Sequence, residues 1–376
     1  GEYPRELRSI LNLEHSKVAF DEIKAWNGYA ETPLCSLKEI ASEIGVKGIY
    51  YKDESSRFGL GSFKALGGTY GVLKFIHHAL KKEIGDEVSM KDIHAGKYSE
   101  QISKYTVTTA TDGNHGRSVA FGAKLFGCKC QIYIHSEVSS GRQKAMEDLE
   151  ATVNRISGNY DASLQICIED AGKNNWHVIS DTSYEGYTKY PRYIMAGYNV
   201  MAEEIIDQIK DRPLPTHVFL QGGVGSFPGA ICGYFWEKFP GNNIKFVVVE
   251  SEHAPCLIRS AQNNQMTSVS IKQETMMAGL SCGEPSLLGW EILKSGTDAF
   301  ITINDSSIPG LMRLLAENNL KIEAGESSVA GLAGLIESME DQKIAEAMEL
   351  DKESIVLLFG TEGATDPEIY RSIISE

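Results

Sequence analysis

The sequence predicts an α/β fold of two lobes, each an open, mostly parallel, twisted sheet flanked by helices. Short β-branched runs alternate with helical stretches through most of the chain, which is typical of parallel sheets covered on both faces. With 376 residues the chain is too long for one compact unit, and it contains no internal repeat and no low-complexity linker. We therefore expect the two lobes to exchange the chain rather than to follow one another along it.

The individual elements are predicted from local pattern. Runs rich in β-branched residues predict strands at residues 105–109, 131–135, 177–180, 217–221, 244–250 and 354–359. Mixed apolar and polar spacing predicts helices packed on a sheet at residues 114–126, 140–149, 192–210, 229–239, 307–318 and 327–339. The polar stretch 81–103 has neither pattern and is predicted to be the most loop-like internal segment.

Composition and charge exclude several classes of protein. Hydrophobic residues make up 42% of the chain, but the longest apolar runs, such as 246–249 and 355–359, are far shorter than the roughly 20 residues that cross a bilayer. The net charge is −15 and the basic residues are scattered, which argues against nucleic acid or an anionic membrane as a partner. The N-terminus shows no signal-peptide pattern, so a cytoplasmic location is expected.

The cysteines predict free thiols in a reducing compartment and no metal site. They form no C-x-x-C pair and have no zinc-finger spacing with histidine. Cys256 and Cys282 could meet if their two loops face each other, and the sequence leaves that pairing open.

The first segment that carries chemistry is 53–68, in which Lys64 follows a glycine-rich polar loop at the start of a predicted helix. A helix N-terminus and apolar surroundings both favour the neutral amine of a lysine. A neutral lysine can form a Schiff base with an aldehyde cofactor. Taken alone, however, Lys64 is better explained as an ordinary solvated lysine in a surface loop.

The second segment, 107–116, runs from a predicted strand through Thr111-Asp-Gly-Asn-His115 into a helix. Small residues and exposed amides at a helix start suit a carboxylate ligand. In isolation the same segment fits a polar turn in which Asp112 caps the helix.

The third segment, 218–229, joins a buried strand to a helix through glycines that let backbone N–H groups converge on a phosphate. A dinucleotide-binding interpretation competes, because the next strand ends at Glu250, where a ribose-binding carboxylate would stand. Pro228 occupies the third glycine position of that fingerprint, which weakens the NAD interpretation. A late turn carrying Thr361 and the small-residue loop 277–285 could each be an ordinary turn whose residues serve only the backbone conformation.

In this order, the Ser-Phe-Lys, Asp-Gly-Asn-His, Gly-Gly-Val-Gly and Thr-Glu-Gly segments resemble those of the tryptophan-synthase-like (fold type II) pyridoxal-phosphate enzymes, roughly over residues 32–365. Serine and threonine dehydratases of that group usually carry Ser-x-Lys-x-Arg-Gly and Ser-Ser-Gly-Asn-His. Ser62-Phe-Lys-Ala-Leu-Gly67 and Thr111-Asp-Gly-Asn-His115 depart from both patterns. The chain is more similar to the diaminopropionate ammonia-lyases, also over the segments 52–55, 181–189 and 277–293.

The resemblance implies a pyridoxal 5'-phosphate cofactor bound covalently by Lys64. Phe63 and Asn114 would contact the pyridine ring and its phenolic oxygen, and Thr361 would face the ring nitrogen. A neutral hydroxyl there leaves the ring unprotonated, which favours prompt loss of a β-substituent. The residues that would hold the phosphate are Gly222, Gly223, Val224 and Gly225.

The resemblance also implies the reaction. Asp112 and Asp181 would be the bases that remove the Cα proton, one for each enantiomer of 2,3-diaminopropionate, and the acidic pair would hold the β-ammonium. The β-amine would leave as ammonia, with Lys64 moving protons, and aminoacrylate would hydrolyse to pyruvate and a second ammonia. The residues expected to bind substrate are Thr111, Asp112, Gly113 and His115.

Several alternatives stay open. Considered without the resemblance, Asp181 fits a strand-end residue capping a turn, and Glu326 could approach the cofactor or cap a helix. The nearest rival function is a serine or threonine dehydratase, or another lyase of β-substituted alanines, of the same fold. More distant rivals are an NAD-dependent oxidoreductase and a non-catalytic metabolite-binding protein.

The predicted domain organisation is a large cofactor-binding domain at 1–68 plus 190–376 and a small domain at 69–189 inserted in it. The active site is expected in the cleft between these two domains. A homodimer is what the resemblance implies for assembly, and a small amino acid is the expected substrate.

Overall fold

The computed structural model describes residues 1–375. Its strands are β1 (Leu34–Ser36), β2 (Gly48–Asp53), β3 (Thr106–Ala110), β4 (Lys129–His135), β5 (Thr152–Ile156), β6 (His177–Val178), β7 (His217–Gln221), β8 (Lys245–Ser251), β9 (Ala299–Ile303) and β10 (Ile355–Gly360). Its helices are α1 (Leu13–Ile23), α2 (Lys38–Ile44), α3 (Lys64–Ile84), α4 (Met90–His94), α5 (Ser99–Ile102), α6 (Asn114–Phe126), α7 (Ser140–Glu147), α8 (Tyr160–Asn174), α9 (Lys189–Tyr198), α10 (Val200–Gln208), α11 (Ser226–Lys238), α12 (Cys256–Asn263), α13 (Leu287–Gly296), α14 (Ile308–Glu317), α15 (Ala330–Glu340), α16 (Gln342–Met348) and α17 (Pro367–Ser375).

The chain divides into two compact units. The first contains Gly1–Phe63, Thr182–Gly186 and the chain from Tyr198 onward, and the second contains Lys64–Asp181 and Tyr187–Gly197. These bounds differ from the predicted 1–68 plus 190–376 and 69–189. The second unit begins at Lys64 because α3 begins there and packs closely on α6, as a Cβ on Gly122 would lie 3.0 Å from the Cα of Thr69.

The first unit is built on a six-stranded sheet with the order β1-β2-β10-β7-β8-β9. Strand β1 is antiparallel to β2, and the other neighbouring strands are parallel. Strands β7 and β10 are buried along their whole length and lie side by side, with Val218 opposite Leu357. Because they run in parallel, the loops after Gln221 and Gly360 leave the same edge of the sheet.

The second unit is built on a four-stranded parallel sheet with the order β5-β4-β3-β6. Strand β3 leads to Asp112, β4 ends at His135, and β6 leads to Asp181. The carboxyl ends of parallel strands share one edge, so three strands deliver polar side chains to the same edge of this unit.

Two element predictions were wrong. Segment 81–103 is not a loop, because it holds the end of α3 together with α4 and α5. The Ser89 hydroxyl caps α4 by accepting from the Asp92 N–H, while Ile93 and Ile102 are buried. The predicted helix 192–210 is two helices, α9 and α10, which are separated at Asn199. The Asn199 side chain is buried and donates to Ser16 Oγ at 3.0 Å.

The sequence pattern did not predict the strands β1, β2, β5 and β9. The carboxyl-terminal part of the predicted strand 177–180 is also irregular, since β6 ends at Val178. Within residues 1–375, no helix combines the length and the apolar character needed to span a membrane.

Candidate active site

Lys64 and Asp181 form an ion pair in the second unit. The Lys64 Nζ lies 2.6 Å from Asp181 Oδ2, and the two side chains are 21% and 19% exposed. Lys64 is the first residue of α3, and Asp181 follows β6. The two residues are 117 positions apart in the sequence, so the sheet order brings them together. A neighbouring carboxylate favours the charged ammonium of Lys64, whereas the sequence predicted a neutral amine.

Asp181 and His115 differ in charge although they are neighbours. Burial raises the pKa of Asp181, but the Lys64 ammonium, His115 and hydrogen bonds together lower it by more, so the pKa lies well below the usual range for an aspartate. Burial lowers the pKa of His115 below that of an ordinary histidine. The His115 Nε2 donates to the Ile179 carbonyl at 2.8 Å, and its Nδ1 lies 3.8 Å from Asp181 Oδ2. Asp181 is therefore a carboxylate beside a cation and a neutral imidazole.

Asp112 has a different partner. Its Oδ1 lies 2.7 Å from His135 Nε2, and the two side chains are 36% and 18% exposed. Thr111 shapes the loop that carries Asp112, because its hydroxyl accepts from the N–H groups of Gly113 and Gly116, both at 3.0 Å. Sequence reasoning did not select His135. The available signal was its place as the last residue of a predicted strand, at the edge where ligands of α/β sheets bind.

The predicted phosphate loop lies in the first unit, between β7 and α11. Gly225 precedes the first helical residue with φ +103°, a conformation that only glycine adopts easily. The first N–H groups of α11 have no intrahelical acceptor and can bind an anion. A Cβ on Gly223 would lie 3.1 Å from the Gly279 carbonyl oxygen, so the loop has no room for a larger residue.

Gly222 contributes to this loop in another way. Its N–H donates to the Val249 carbonyl at 2.8 Å, as a continuation of the sheet. A Cβ at this position would lie 2.8 Å from Val248 Cγ1 and 3.0 Å from Glu250 Cγ. Gly222 therefore lets the backbone lie close to the neighbouring strand β8.

Thr361 follows β10 and is buried in the same unit. The Gln221 Nε2 donates to the carbonyls of Phe359 at 2.6 Å and Ser327 at 3.1 Å, and lies 3.4 Å from Thr361 Oγ1. The Thr361 carbonyl accepts the Phe63 N–H at 3.1 Å. Since Gln221 offers a donor, the Thr361 hydroxyl can keep its own proton for another acceptor.

Phe63 and Glu326 are also buried residues of the first unit. The Phe63 ring packs on Tyr198 and Phe227 with centroid distances of 4.8 and 4.9 Å. Glu326 is the first residue of a short 3-10 helix that ends at Val329.

Glu250 argues against the NAD interpretation. It is fully buried, and its two carboxyl oxygens accept the N–H groups of Leu257 and Ile258, both at 2.8 Å. Burial raises the pKa of Glu250 to about 8. A buried carboxyl group that caps the start of α12 does not present itself to a ribose. In the same region Cys256 and Cys282 do not form a disulfide bond.

Comparison with known proteins agrees with this fold. A family model described as pyridoxal-phosphate dependent enzyme matches residues 25–360, so the class is that of enzymes dependent on pyridoxal phosphate. The diaminopropionate ammonia-lyase of Escherichia coli (strain K12) is 37% identical over 379 aligned residues, which cover 99% of this chain and 94% of that protein. The chain therefore belongs to the diaminopropionate ammonia-lyase family.

A solved structure and a more distant relative complete the comparison. The crystal structure of the Escherichia coli diaminopropionate ammonia-lyase in complex with an aminoacrylate-PLP azomethine reaction intermediate matches with a TM-score of 0.88 at 35% identity, covering 100% of this chain and 94% of that one. The probable D-serine dehydratase of Carboxydothermus hydrogenoformans is 26% identical over 331 residues, which cover 82% of this chain and 76% of that protein. The predicted fold class, family and cofactor are confirmed.

Proposed function

We propose that this protein is a carbon–nitrogen lyase that eliminates ammonia from 2,3-diaminopropionate and yields pyruvate and two molecules of ammonia. The observation that carries the proposal is the Lys64–Asp181 pair, with Nζ and Oδ2 2.6 Å apart, in a chain 37% identical over 99% of its length to a diaminopropionate ammonia-lyase. Both enantiomers are proposed as substrates, because the second unit supplies two carboxylates in different surroundings.

The residues present fit pyridoxal 5'-phosphate. The crowding around Gly223 and the positive φ of Gly225 leave the backbone N–H groups after Gly222 as the natural partners of a phosphate. When bound, the cofactor supplies an electron sink that makes the Cα proton of an attached amino acid acidic. The residues proposed to hold the cofactor are Lys64, Phe63, Asn114, Gly222, Gly223, Val224, Gly225 and Thr361.

Lys64 is proposed to be the lysine that binds the cofactor and later moves a proton. Asp181 holds its Nζ in the structure, which orients the amine from the side of β6. The protonated Nζ of Lys64 can donate a proton to a neutral β-amine, which then leaves as ammonia. The Thr361 hydroxyl is proposed to face the ring nitrogen and leave it unprotonated.

Asp112 and Asp181 are proposed to accept the Cα proton, one for each enantiomer. The low pKa of Asp181 keeps it ionised, and loss of the neighbouring Lys64 charge when the lysine binds the cofactor would raise its basicity. A pair of carboxylates also suits the cationic β-ammonium of diaminopropionate better than the neutral hydroxyl of serine. The loop residues Thr111, Gly113 and His115 are proposed to bind the substrate.

The assembly and location are proposed from weaker support. The family resemblance supports a homodimer, which light scattering of the purified protein would test. The free cysteines support a reducing, cytoplasmic location.

The test of the reaction is a comparison of substrates. The purified protein is incubated separately with D- and L-2,3-diaminopropionate and with D- and L-serine, and pyruvate and ammonia are both quantified. The proposal predicts faster turnover of diaminopropionate and two ammonia per pyruvate, whereas serine can release only one. Faster turnover of serine would assign the chain to the dehydratases instead, and no pyruvate from any of the four would contradict the elimination.

A further inference from the structure

His135 is placed on Asp112 by the sheet of the second unit. It is the last residue of β4, and β4 pairs with β3, the strand that leads to Asp112. The His135 Nε2 lies 2.7 Å from Asp112 Oδ1. Its Nδ1 accepts the backbone N–H of Glu137 at 3.3 Å. An Nδ1 that accepts a hydrogen bond leaves the ring proton on Nε2, so the imidazole donates to Asp112.

The backbone that carries His135 is held in place by Arg155 on β5. Arg155 Nη1 donates to three carbonyls of the turn after β4, those of His135 at 3.3 Å, Ser136 at 2.9 Å and Val138 at 2.7 Å. The Arg155 Nε and Nη2 both donate to Gln143 Oε1, at 3.2 and 2.8 Å. The turn is therefore fixed at several points, and the imidazole approaches Asp112 from a rigid support.

The two proposed bases have separate supports. Asp181 is held by the Lys64 ammonium, whereas Asp112 is held by the His135 imidazole. A hydrogen bond to Oδ1 fixes the carboxyl plane of Asp112 and leaves Oδ2 to receive a proton. Loss of that bond would let the half-exposed Asp112 side chain adopt other rotamers, without touching the Lys64–Asp181 pair.

We propose that His135 is the positioning residue of Asp112 alone, and that it controls turnover of only the enantiomer whose Cα proton Asp112 removes. The proposal rests on the proposed function, since it takes Asp112 as the base for one enantiomer. In the step concerned, the Cα–H bond breaks, its proton passes to Asp112 Oδ2, and its electron pair would be taken up by the bound cofactor. His135 keeps its Nε2 proton as a hydrogen-bond donor throughout.

The experiment uses the holoenzyme and both enantiomers of diaminopropionate. Asp112→Asn first identifies which enantiomer depends on Asp112. His135→Leu removes the donor at similar volume, His135→Gln keeps an N–H at the end of the side chain, and His253→Leu is the matched control, a histidine whose side chain is 22% exposed against 18% for His135. Loss of a hydrogen bond to a charged group predicts a fall in kcat of about tenfold to a hundredfold for His135→Leu on that enantiomer.

The expected pattern is selective. His135→Leu lowers kcat more than it raises KM for the Asp112-dependent enantiomer, increases the isotope effect of Cα deuteration on that enantiomer, and leaves the other enantiomer at the wild-type rate. His135→Gln restores much of the loss, and His253→Leu changes neither rate. The unaffected enantiomer shows in the same preparation that the variant is folded and holds its cofactor.

A readout independent of turnover is nitrogen NMR of the histidine rings. The proposal predicts a neutral His135 with the proton on Nε2 in the wild type and a changed Nε2 resonance in Asp112→Asn. Equal losses for both enantiomers in His135→Leu, or no loss for either, would overturn the proposal while the proposed function stands. A wild type that releases pyruvate from neither enantiomer would instead overturn the proposed function, and the positioning role with it.

Discussion

At the scale of single residues, the side chains proposed for chemistry lie in contrasting environments. Asp181 is ionised beside Lys64, Asp112 is bonded to a histidine, and the Thr361 hydroxyl lies beside the Gln221 amide. Two carboxylates in different surroundings, such as Asp181 and Asp112, can have different roles in one reaction.

The Lys64–Asp181 pair predicts a specific dependence of stability on pH. Because the pKa of Asp181 is lowered by folding, the pair stabilises the native state above the ordinary carboxyl pKa of about 3.9, and this stabilisation is lost as the pH falls through the lowered value. Thermal unfolding of cofactor-free protein should show an advantage of wild type over Asp181→Asn that is steady near neutral pH and shrinks in acid. An advantage that grows as the pH falls would contradict the assignment.

Thr361 predicts an effect on cofactor binding. Thr361→Val removes the hydroxyl and keeps the shape, so the proposed hydrogen bond to the ring nitrogen would be lost and the cofactor should bind up to about tenfold more weakly. Titration of the cofactor, followed by quenching of protein fluorescence, measures this. Thr297→Val is the matched control, because Thr297 Oγ1 is buried without a hydrogen-bond partner, and it should leave the affinity unchanged. Equal affinity in Thr361→Val would show that the hydroxyl does not contact the ring.

At the scale of elements, the loops that follow the strands carry the proposed site. Gly225 lies at the start of α11 with a φ of +103°, which other residues rarely adopt, and a Cβ there would lie 3.1 Å from Leu257 Cδ2. Gly241 has a similar φ of +83° with nothing within 4 Å of a Cβ. Substitutions at these two glycines therefore distinguish the effect of backbone strain on stability from an effect on cofactor binding.

Gly225→Ala and Gly241→Ala should both cost about 1 kcal/mol in backbone strain. Only Gly225→Ala should also weaken the binding of pyridoxal phosphate, by an order of magnitude or more, because it moves the N–H groups at the start of α11. Chemical denaturation gives the stability of each variant, and equilibrium dialysis gives the affinity. Similar affinities in the two variants would show that this loop does not hold the phosphate.

The elements predicted from the sequence were those with clear patterns. Buried runs such as 217–221 and 354–359 were assigned as strands, and their carboxyl-terminal loops hold the motifs selected beforehand. Strand β9 was missed although its sequence, Ala-Phe-Ile-Thr-Ile, is rich in β-branched residues. Segment 81–103 was misassigned because its polar residues cover three helical pieces with few buried positions. Asn199 split a predicted helix through a tertiary contact with Ser16 that local pattern does not encode.

The proposed site could be predicted only in part, because local sequence pattern does not encode contacts between distant residues. Glycine loops have a local signal, so residues 222–225 could be selected from the residues themselves, whereas Lys64 was selected through the resemblance of the whole set of segments. The partners of the charged groups are non-local: Asp181 meets Lys64 through β6, and His135 meets Asp112 through the β3–β4 pairing. These pairs depend on strand order, which the sequence did not specify.

At the scale of the whole molecule, a buried ionic cluster supports the first unit. Arg57 bonds Glu54 and Glu204, and Lys52 lies 2.7 Å from Glu204 Oε2, with all four side chains fully buried. The cluster ties β2 and the segment before Lys64 to α10. Removal of one partner from a buried pair leaves an uncompensated charge, which is costly.

Glu204→Gln should therefore destabilise the protein by about 3–5 kcal/mol. Glu353→Gln is the control, because the Lys47–Glu353 pair is 55% and 67% exposed and its loss should cost less than about 1 kcal/mol. Urea unfolding followed by circular dichroism compares the two variants. Equal midpoints would show that the cluster contributes no more than a surface ion pair.

The central claim is that Lys64 binds pyridoxal phosphate in an enzyme that eliminates ammonia from diaminopropionate. The most direct measurement is the visible absorption of wild type and of Lys64→Ala, with pyruvate followed in the same cuvette after D- or L-diaminopropionate is added. We predict a visible cofactor band in wild type that is absent from Lys64→Ala, and pyruvate from wild type only. A wild type that stays colourless after pyridoxal phosphate is added, or a variant that keeps both band and turnover, would contradict the account.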